Sequence, residues 1–392
     1  MKKPHKKIDT KFESKTKKKN INRFIFLTKI ITIILLLVLY YENNFKLSRV
    51  IKKDYKVTNI TNSTNITNII NINNINNNIT NITNITNITL IHDYCLDCIN
   101  KLDNLDYKCL ECSSDLLFKD LKIVSAEDTL NEIIKNKRSI SRFGDGEFFI
   151  IYGGGNVYQE PNKNLSKRLL EIIYNNNTNE NLLVGINFAH KKEELDLYVE
   201  YEVRYWKDFI SKNKFKLLKI LNLNKTYYSS EISRFYFKYK DKSHVPQFIA
   251  KLKQIWEGRD ILIVEGEQSR IGIRNDLFNQ TKSIKRIICP TKNAFRVYNK
   301  ILNSVLKISK DHLILIALGP TATVLAYDLS NLEYQAIDFG HIDVQYELYL
   351  RNATNWIRIP YKIVVEYDEG RNGVEDIKDP EYINQIIEKI TF

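Results

Sequence analysis

Residues 312–329 read HLILIALGPTATVLAYDL, and this stretch decides the fold. An apolar run of strand length, with no polar face, meets Gly-Pro-Thr and then a segment of helical character. A strand apolar on both faces belongs inside a mostly parallel sheet covered by helices on each side. The same alternation extends outward in both directions. Apolar runs lie at Ser139–Phe143, Leu182–Phe188, Asp260–Val264, Ile284–Cys289, His312–Leu318 and Tyr334–Asp338. Helical patterns lie between them at Ala126–Lys137, Glu193–Lys212, Val245–Glu257, Ala294–Lys307 and Thr321–Leu329. The expected class is therefore α/β, a mostly parallel sheet with helices on both faces, over residues 121–392.

Ligands of such sheets bind beyond the carboxyl ends of the strands, so the loops that follow the strands carry the candidate chemistry. The first loop, Ser141-Arg142-Phe143-Gly144-Asp145-Gly146-Glu147, reads as a glycine-flanked turn that brings two carboxylates together. Asp145 and Glu147 would supply oxygen ligands for Mg2+ or Mn2+. Acid-x-acid triplets occur six times in the chain, so the spacing alone does not discriminate. The second loop, residues 265–276, offers glycine amides, the hydroxyl of Ser269 and the guanidinium groups of Arg270 and Arg274 to a diphosphate. In the third, Gly319-Pro320-Thr321, the amides at a helix start would face an anion, or Thr321 would simply cap the helix. The fourth, Asp338-Phe339-Gly340-His341-Ile342-Asp343, contributes His341 as a ligand, a base or a surface imidazole.

Taken in order, six segments resemble the GT-D glycosyltransferases. They are SRFGDGE at 141–147, SRFYF at 233–237, VEGEQSRIGIRNDLF at 264–278, ICPTKNAF at 288–295, LGPTATVLAYDL at 318–329 and IDFGHIDVQYE at 337–347. The resemblance implies a Rossmann-like fold and sugar transfer from a nucleotide-sugar donor, UDP-glucose in the known case. It implies an Asp-x-Glu motif that helps bind metal and diphosphate, matched by Asp145 and Glu147. On that basis Arg142, Gly144, Gly266, Ser269, Arg270 and Gly272 are expected at the donor, joined by Asn275, Asp276, Gly319, Pro320 and Thr321. Glu267, His341 and Asp343 are the candidates for a base near the acceptor hydroxyl. One departure stands out: glycine commonly precedes the Asn-Asp pair in this family, and Arg274 stands there here.

The chain has 392 residues, and its scarce glycine (13) and proline (7) exclude collagen-like and Pro-rich fibrous classes. Its net charge of +13 is local: residues 1–23 carry +8, leaving +5 for the other 369. That distribution suits a membrane-flanking tail and argues against nucleic acid as a partner. Residues 24–41, FIFLTKIITIILLLVLYY, read as one transmembrane signal anchor. The preceding lysines keep the tail cytosolic, giving a single-pass type II protein of the Golgi or ER with a lumenal head. Residues 42–90 read as a stalk. Within it, residues 58–89 use only Asn, Ile and Thr apart from Ser63, with seven N-x-[ST] glycan acceptors. Residues 91–120 hold Cys95, Cys98, Cys109 and Cys112 as CxxC-x10-CxxC. In an oxidising lumen two disulfides are expected; a structural Zn2+ knuckle is the alternative, and the spacing does not choose.

The expected function is metal-dependent sugar transfer, from a UDP-sugar to a glycan or glycoprotein acceptor. Two other readings compete. A methyltransferase would need a Gly-rich turn after the first strand and an acidic ribose-binding residue after the second, and neither is clear. An inactive, membrane-tethered carbohydrate-binding or adhesion protein would fit the aromatic content, 23 Tyr and 3 Trp.

Overall fold

The computed structural model describes residues 117–392 apart from 119, 175–178, 188–194 and 368–373. The basic tail, the apolar run 24–41, the stalk and the four clustered cysteines lie outside the described residues. Among those described, no helix is long and apolar enough to cross a membrane.

The described chain begins with β1 (Lys122–Ile123), α1 (Ala126–Lys135) and β2 (Ser139–Arg142). Ser125 caps α1 by accepting the Asp128 amide, and the helix buries Thr129, Leu130 and Ile133. Next come α2 (Asp145–Ile151), α3 (Lys163–Tyr174), β3 (Leu182–Ile186), α4 (Glu200–Ile220) and β4 (Thr226–Ser229). The second half contains α5 (Val245–Lys253), β5 (Asp260–Gly266), β6 (Ser283–Cys289), α6 (Tyr298–Val305), β7 (Leu313–Ala317) and α7 (Pro320–Asn331). It ends with β8 (Ala336–Asp338), α8 (Ile342–Leu350), α9 (Pro380–Gln385) and β9 (Ile386–Lys389).

The strands form one sheet in the order β1-β4-β3-β2-β8-β7-β5-β6-β9, and each pair is parallel. The side-chain period of two divides each central strand between two cores. Leu262 and Val264 of β5 enter one core, while Ile261 and Ile263 enter the other. The same holds for Ile314 and Ile316 against Leu313 and Leu315 of β7. This two-sided burial is why those runs carry no polar face.

Four sequence expectations shift. The helix expected at 193–212 is described from Glu200 to Ile220. The pattern at 294–307 divides into a 3-10 turn, Ala294–Val297, and α6. Thr321 does not cap α7; Gly319 does, at φ 52, ψ −140, followed by Pro320 in the first turn. The fourth shift matters most for the site: Asp145-Gly146-Glu147 is not a loop but the first turn of α2.

Candidate active site

The carboxyl ends of β2 and β8 lie side by side, since Ile140 pairs with Ile337. The chain leaves β2 through Phe143 and Gly144 and turns at once into α2. Asp145 and Glu147 therefore occupy the first and third helical positions, where negative charge faces the positive end of the helix. The Gly144 amide donates to Glu147 Oε2 at 2.8 Å, one arm of a capping box. Asp145 accepts the Tyr205 hydroxyl from α4. Burial pushes the Glu147 carboxyl up from 4.5 to about 7. The like charges of Asp338 and Asp145 add to the rise, and the Gly144 amide opposes it.

Asp338, at the end of β8, is buried and holds Arg142 at 2.9 Å. The Arg142 guanidinium also donates to the Asp338 carbonyl at 2.6 Å, the Ser230 carbonyl at 3.2 Å and the Ser233 hydroxyl. With so many internal partners, Arg142 braces β2, β8 and the turn after β4. Gly340 makes room for this clamp: at φ 52, a Cβ there would fall on the guanidinium.

Beside the clamp stand Arg234, Glu366 and His341. Glu366 Oε1 lies 3.1 Å from His341 Nε2 and 3.3 Å from an Arg234 nitrogen. His341 Nδ1 is 3.4 Å from the same Arg234 nitrogen. Burial alone would raise the Glu366 carboxyl, but His341 and Arg234 together hold it well below the usual range. Its second oxygen, Oε2, is buried without a hydrogen-bond partner. Arg234 is the cation of this group, faced by Glu366, Glu202 and Asp145. The structure thus brings together Asp145, Glu147 and His341 of the expected residues.

A family model described as the glycosyltransferase GT-D fold matches residues 140–367, more than half of the chain. The chain belongs to the GT-D glycosyltransferase family. It is 37% identical over 269 residues to a "Probable glycosyl transferase Gly" of Streptococcus gordonii, covering 69% of this chain and 39% of that protein. It is 36% identical over 281 residues to the "Glycosyltransferase GlyD" of Streptococcus pneumoniae, covering 71% of this chain and 34% of that one. The chain therefore spans between a third and two fifths of the length of these curated relatives. A solved structure described as domain of unknown function 1792, with "a distinct glycosyltransferase fold", superposes with a TM-score of 0.66 at 38% identity. That match covers 70% of this chain and 97% of the solved one. A second solved structure, "A New Glycosyltransferase" from Streptococcus sanguinis, gives 0.65 at 35% identity, covering 69% and 100%.

In this GT-D chain the polar side chains of the loop after β5 have partners within the fold. Arg270, buried at φ 46, donates to the carbonyls of Tyr361 at 3.0 Å and of Glu375, pinning the C-terminal segments. The Gly272 amide donates to Asp343 at 2.9 Å, and Asn275 donates to Asp343 at 2.9 Å and Glu347 at 2.7 Å. Asp343 is buried against Lys362, 2.8 Å away. Asp276 is held by Tyr346 at 2.5 Å and Lys253 at 3.0 Å. Glu267 pairs with Lys389 of β9 on the surface. The Ser269 amide closes a turn onto Gly266, whose absent Cβ would lie 3.1 Å from Thr291 Cα. Arg274 sits at φ 55, a conformation suited to glycine, and its guanidinium lies over the Tyr361 ring at 4.0 Å. That stacking offsets the backbone strain and directs the charge to Tyr361.

At the start of α7 the Thr321 and Ala322 amides donate back to Leu318 and Gly319 at 3.3 and 2.9 Å. Tyr158 packs over Gly319, where a Cβ would lie 3.3 Å from its own. The amides expected to face an anion are thus covered on one side. The Thr321 hydroxyl is buried without a hydrogen-bond partner. Asp338, Arg234, Glu366 and Tyr205 were not singled out as site residues from the sequence. Arg234 lies inside the quoted SRFYF segment, and Asp338 opens the fourth loop. No local signal marks Glu366 or Tyr205.

Proposed function

We propose that the chain transfers a sugar from a nucleotide-sugar donor, a UDP-sugar, to a hydroxyl of a glycan or glycoprotein acceptor. In this reading Asp145 and Glu147 hold Mn2+ or Mg2+. The observation that carries it is the paired carboxylate turn of α2 set against Arg234, Glu366 and His341 at the carboxyl ends of the strands. Three carboxylates face the single Arg234 guanidinium. Such a surplus of negative charge repels a diphosphate unless a cation joins it. The proton affinity of Glu147 is raised chiefly by its burial, with Asp338 and Asp145 adding to the rise. Among the described residues no three His, Cys, Asp or Glu side chains close into a metal cage. Two carboxylates fit a hard divalent ion whose remaining positions go to water and phosphate oxygens.

Such an ion, held by Asp145 and Glu147, would supply positive charge to the departing diphosphate. Arg234, the guanidinium that faces Asp145, shares that charge. The Gly144 amide orients Glu147, and the Tyr205 hydroxyl orients Asp145. His341 is the base candidate for an inverting reaction, oriented by Glu366 and freed by breaking its long contact with Arg234.

The test is a screen of nucleotide-sugars for release of the nucleoside diphosphate, with Mn2+ and with chelator. Release from a UDP-sugar that chelator abolishes is expected; turnover indifferent to chelator contradicts the metal, and no turnover contradicts the activity. Anchoring by residues 24–41, with the head lumenal in a secretory compartment, belongs to the same proposal and rests on the sequence alone. Protease that reaches the head inside sealed microsomes contradicts that topology.

A further inference from the structure

We infer that the aromatic wall built on the first turns of α4 is the subsite for the acceptor's sugar ring, an inference that rests on the glycosyl-transfer reading above. Tyr201 and Tyr205 are one helical turn apart, so their rings share a face, and each is 44% exposed. Single exposed aromatics are ordinary, but these two share one face of α4 next to the carboxylate turn of α2. Tyr205 reaches Asp145 with its hydroxyl. The Tyr201 ring lies 6.1 Å from Phe237, which packs at 4.4 Å on Trp356. Phe149 of α2 is also exposed and meets Phe209 edge-on at 5.5 Å, continuing the apolar surface. The wall therefore runs from the carboxylate turn to Trp356.

Its polar neighbours indicate what covers it. Glu202 and the Trp356 indole face the Tyr201 hydroxyl. Glu202 and Asp145 face Tyr205, with Arg234 the cation opposite. The phosphates of the donor are taken by Arg234 and the Asp145 turn, which leaves the aromatic face and Glu202 beside it for the acceptor. That face suits a neutral pyranose, whose C–H face stacks on the rings while its hydroxyls donate to carboxylate oxygens. The occupant is therefore a neutral sugar, and the reacting hydroxyl would sit beside Asp145 and His341.

The experiment uses the full chain, the UDP-sugar most rapidly turned over, and p-nitrophenyl β-glucoside and β-N-acetylglucosaminide as acceptor probes. Tyr201→Ala is expected to raise the acceptor KM roughly three- to tenfold, while Tyr201→Phe retains the wild-type value. UDP affinity, measured by calorimetry with Mn2+, should be the same in all three proteins. A parallel loss of UDP affinity in Tyr201→Ala would place the nucleobase on the wall and overturn the inference. An unchanged acceptor KM would overturn it as well. Absence of UDP release by the wild type from every donor would instead sink the glycosyl-transfer reading, and this inference with it.

Discussion

Replacing Lys362 with methionine is expected to destabilise the protein by about 3–5 kcal/mol, the range for stripping one partner from a buried ion cluster. Lys362 is only 2% exposed. Its ammonium lies 2.8 and 3.0 Å from the oxygens of Asp343 and 2.7 Å from Glu347. Methionine fills similar volume, so the loss is electrostatic: two buried carboxylates remain, with Asn275, the Gly272 amide and Arg351 as their other partners. The carboxylates join the loop after β5 to α8 and, through Lys362, to the segment that follows it. Converting Asp343 to asparagine and Glu347 to glutamine in the same protein removes the stranded charge and should recover most of the loss. Urea unfolding midpoints measure both effects. A cost below about 1 kcal/mol for Lys362→Met would contradict the ascribed role.

Asp343 also shows where the sequence stops being informative. A polar residue after a strand can point into the cleft or back into the fold, and the linear pattern is the same in both cases. Asp343, Arg270 and Arg142 all point back, each answering a partner from another segment of the chain. Lys362, the carbonyls of Tyr361 and Glu375, and Asp338 are those partners. The runs at β2, β3, β5, β6, β7 and β8 were legible because burial on both faces leaves an unbroken apolar signature. The strands β1, β4 and β9 were not. Lys122–Ile123 is too short to show a pattern, TYYS at Thr226–Ser229 is half polar, and IIEK at Ile386–Lys389 is amphipathic. Their strand state comes from pairing with a neighbour, not from local preference. The start of α2 was hidden by Gly146, which reads as a turn. The overlooked signal was Gly144 followed three residues later by Glu147, the spacing of a helix cap. Of the site, the carboxylate pair was visible, but the Arg234–Glu366 contact spans 132 positions and could only emerge from the fold.

Changing Glu147 to glutamine or Asp145 to asparagine should have the largest effect on activity. Each swap keeps shape and removes one negative ligand. Glutamine at 147 can still accept the Gly144 amide through its carbonyl oxygen, so α2 should keep its cap. Metal-dependent donor binding should weaken by about one charge-assisted contact, roughly 10- to 150-fold. Turnover should fall further, because charge on the leaving diphosphate grows towards the transition state. Glu147→Gln has a second signature. The folded protein holds the Glu147 proton up to about 7, against 4.5 for the unexceptional carboxyl. Without metal, the stability this contributes is complete below 4.5 and is lost as pH rises through about 7. Glutamine is neutral throughout, so the variant should lack that part of the wild-type decline. The most direct measurement is a UDP titration of wild type, Asp145→Asn and Glu147→Gln, each with and without Mn2+. The account predicts that Mn2+ strengthens UDP binding in the wild type and does so far less in either variant. Equal Mn2+ enhancement in all three proteins would contradict it.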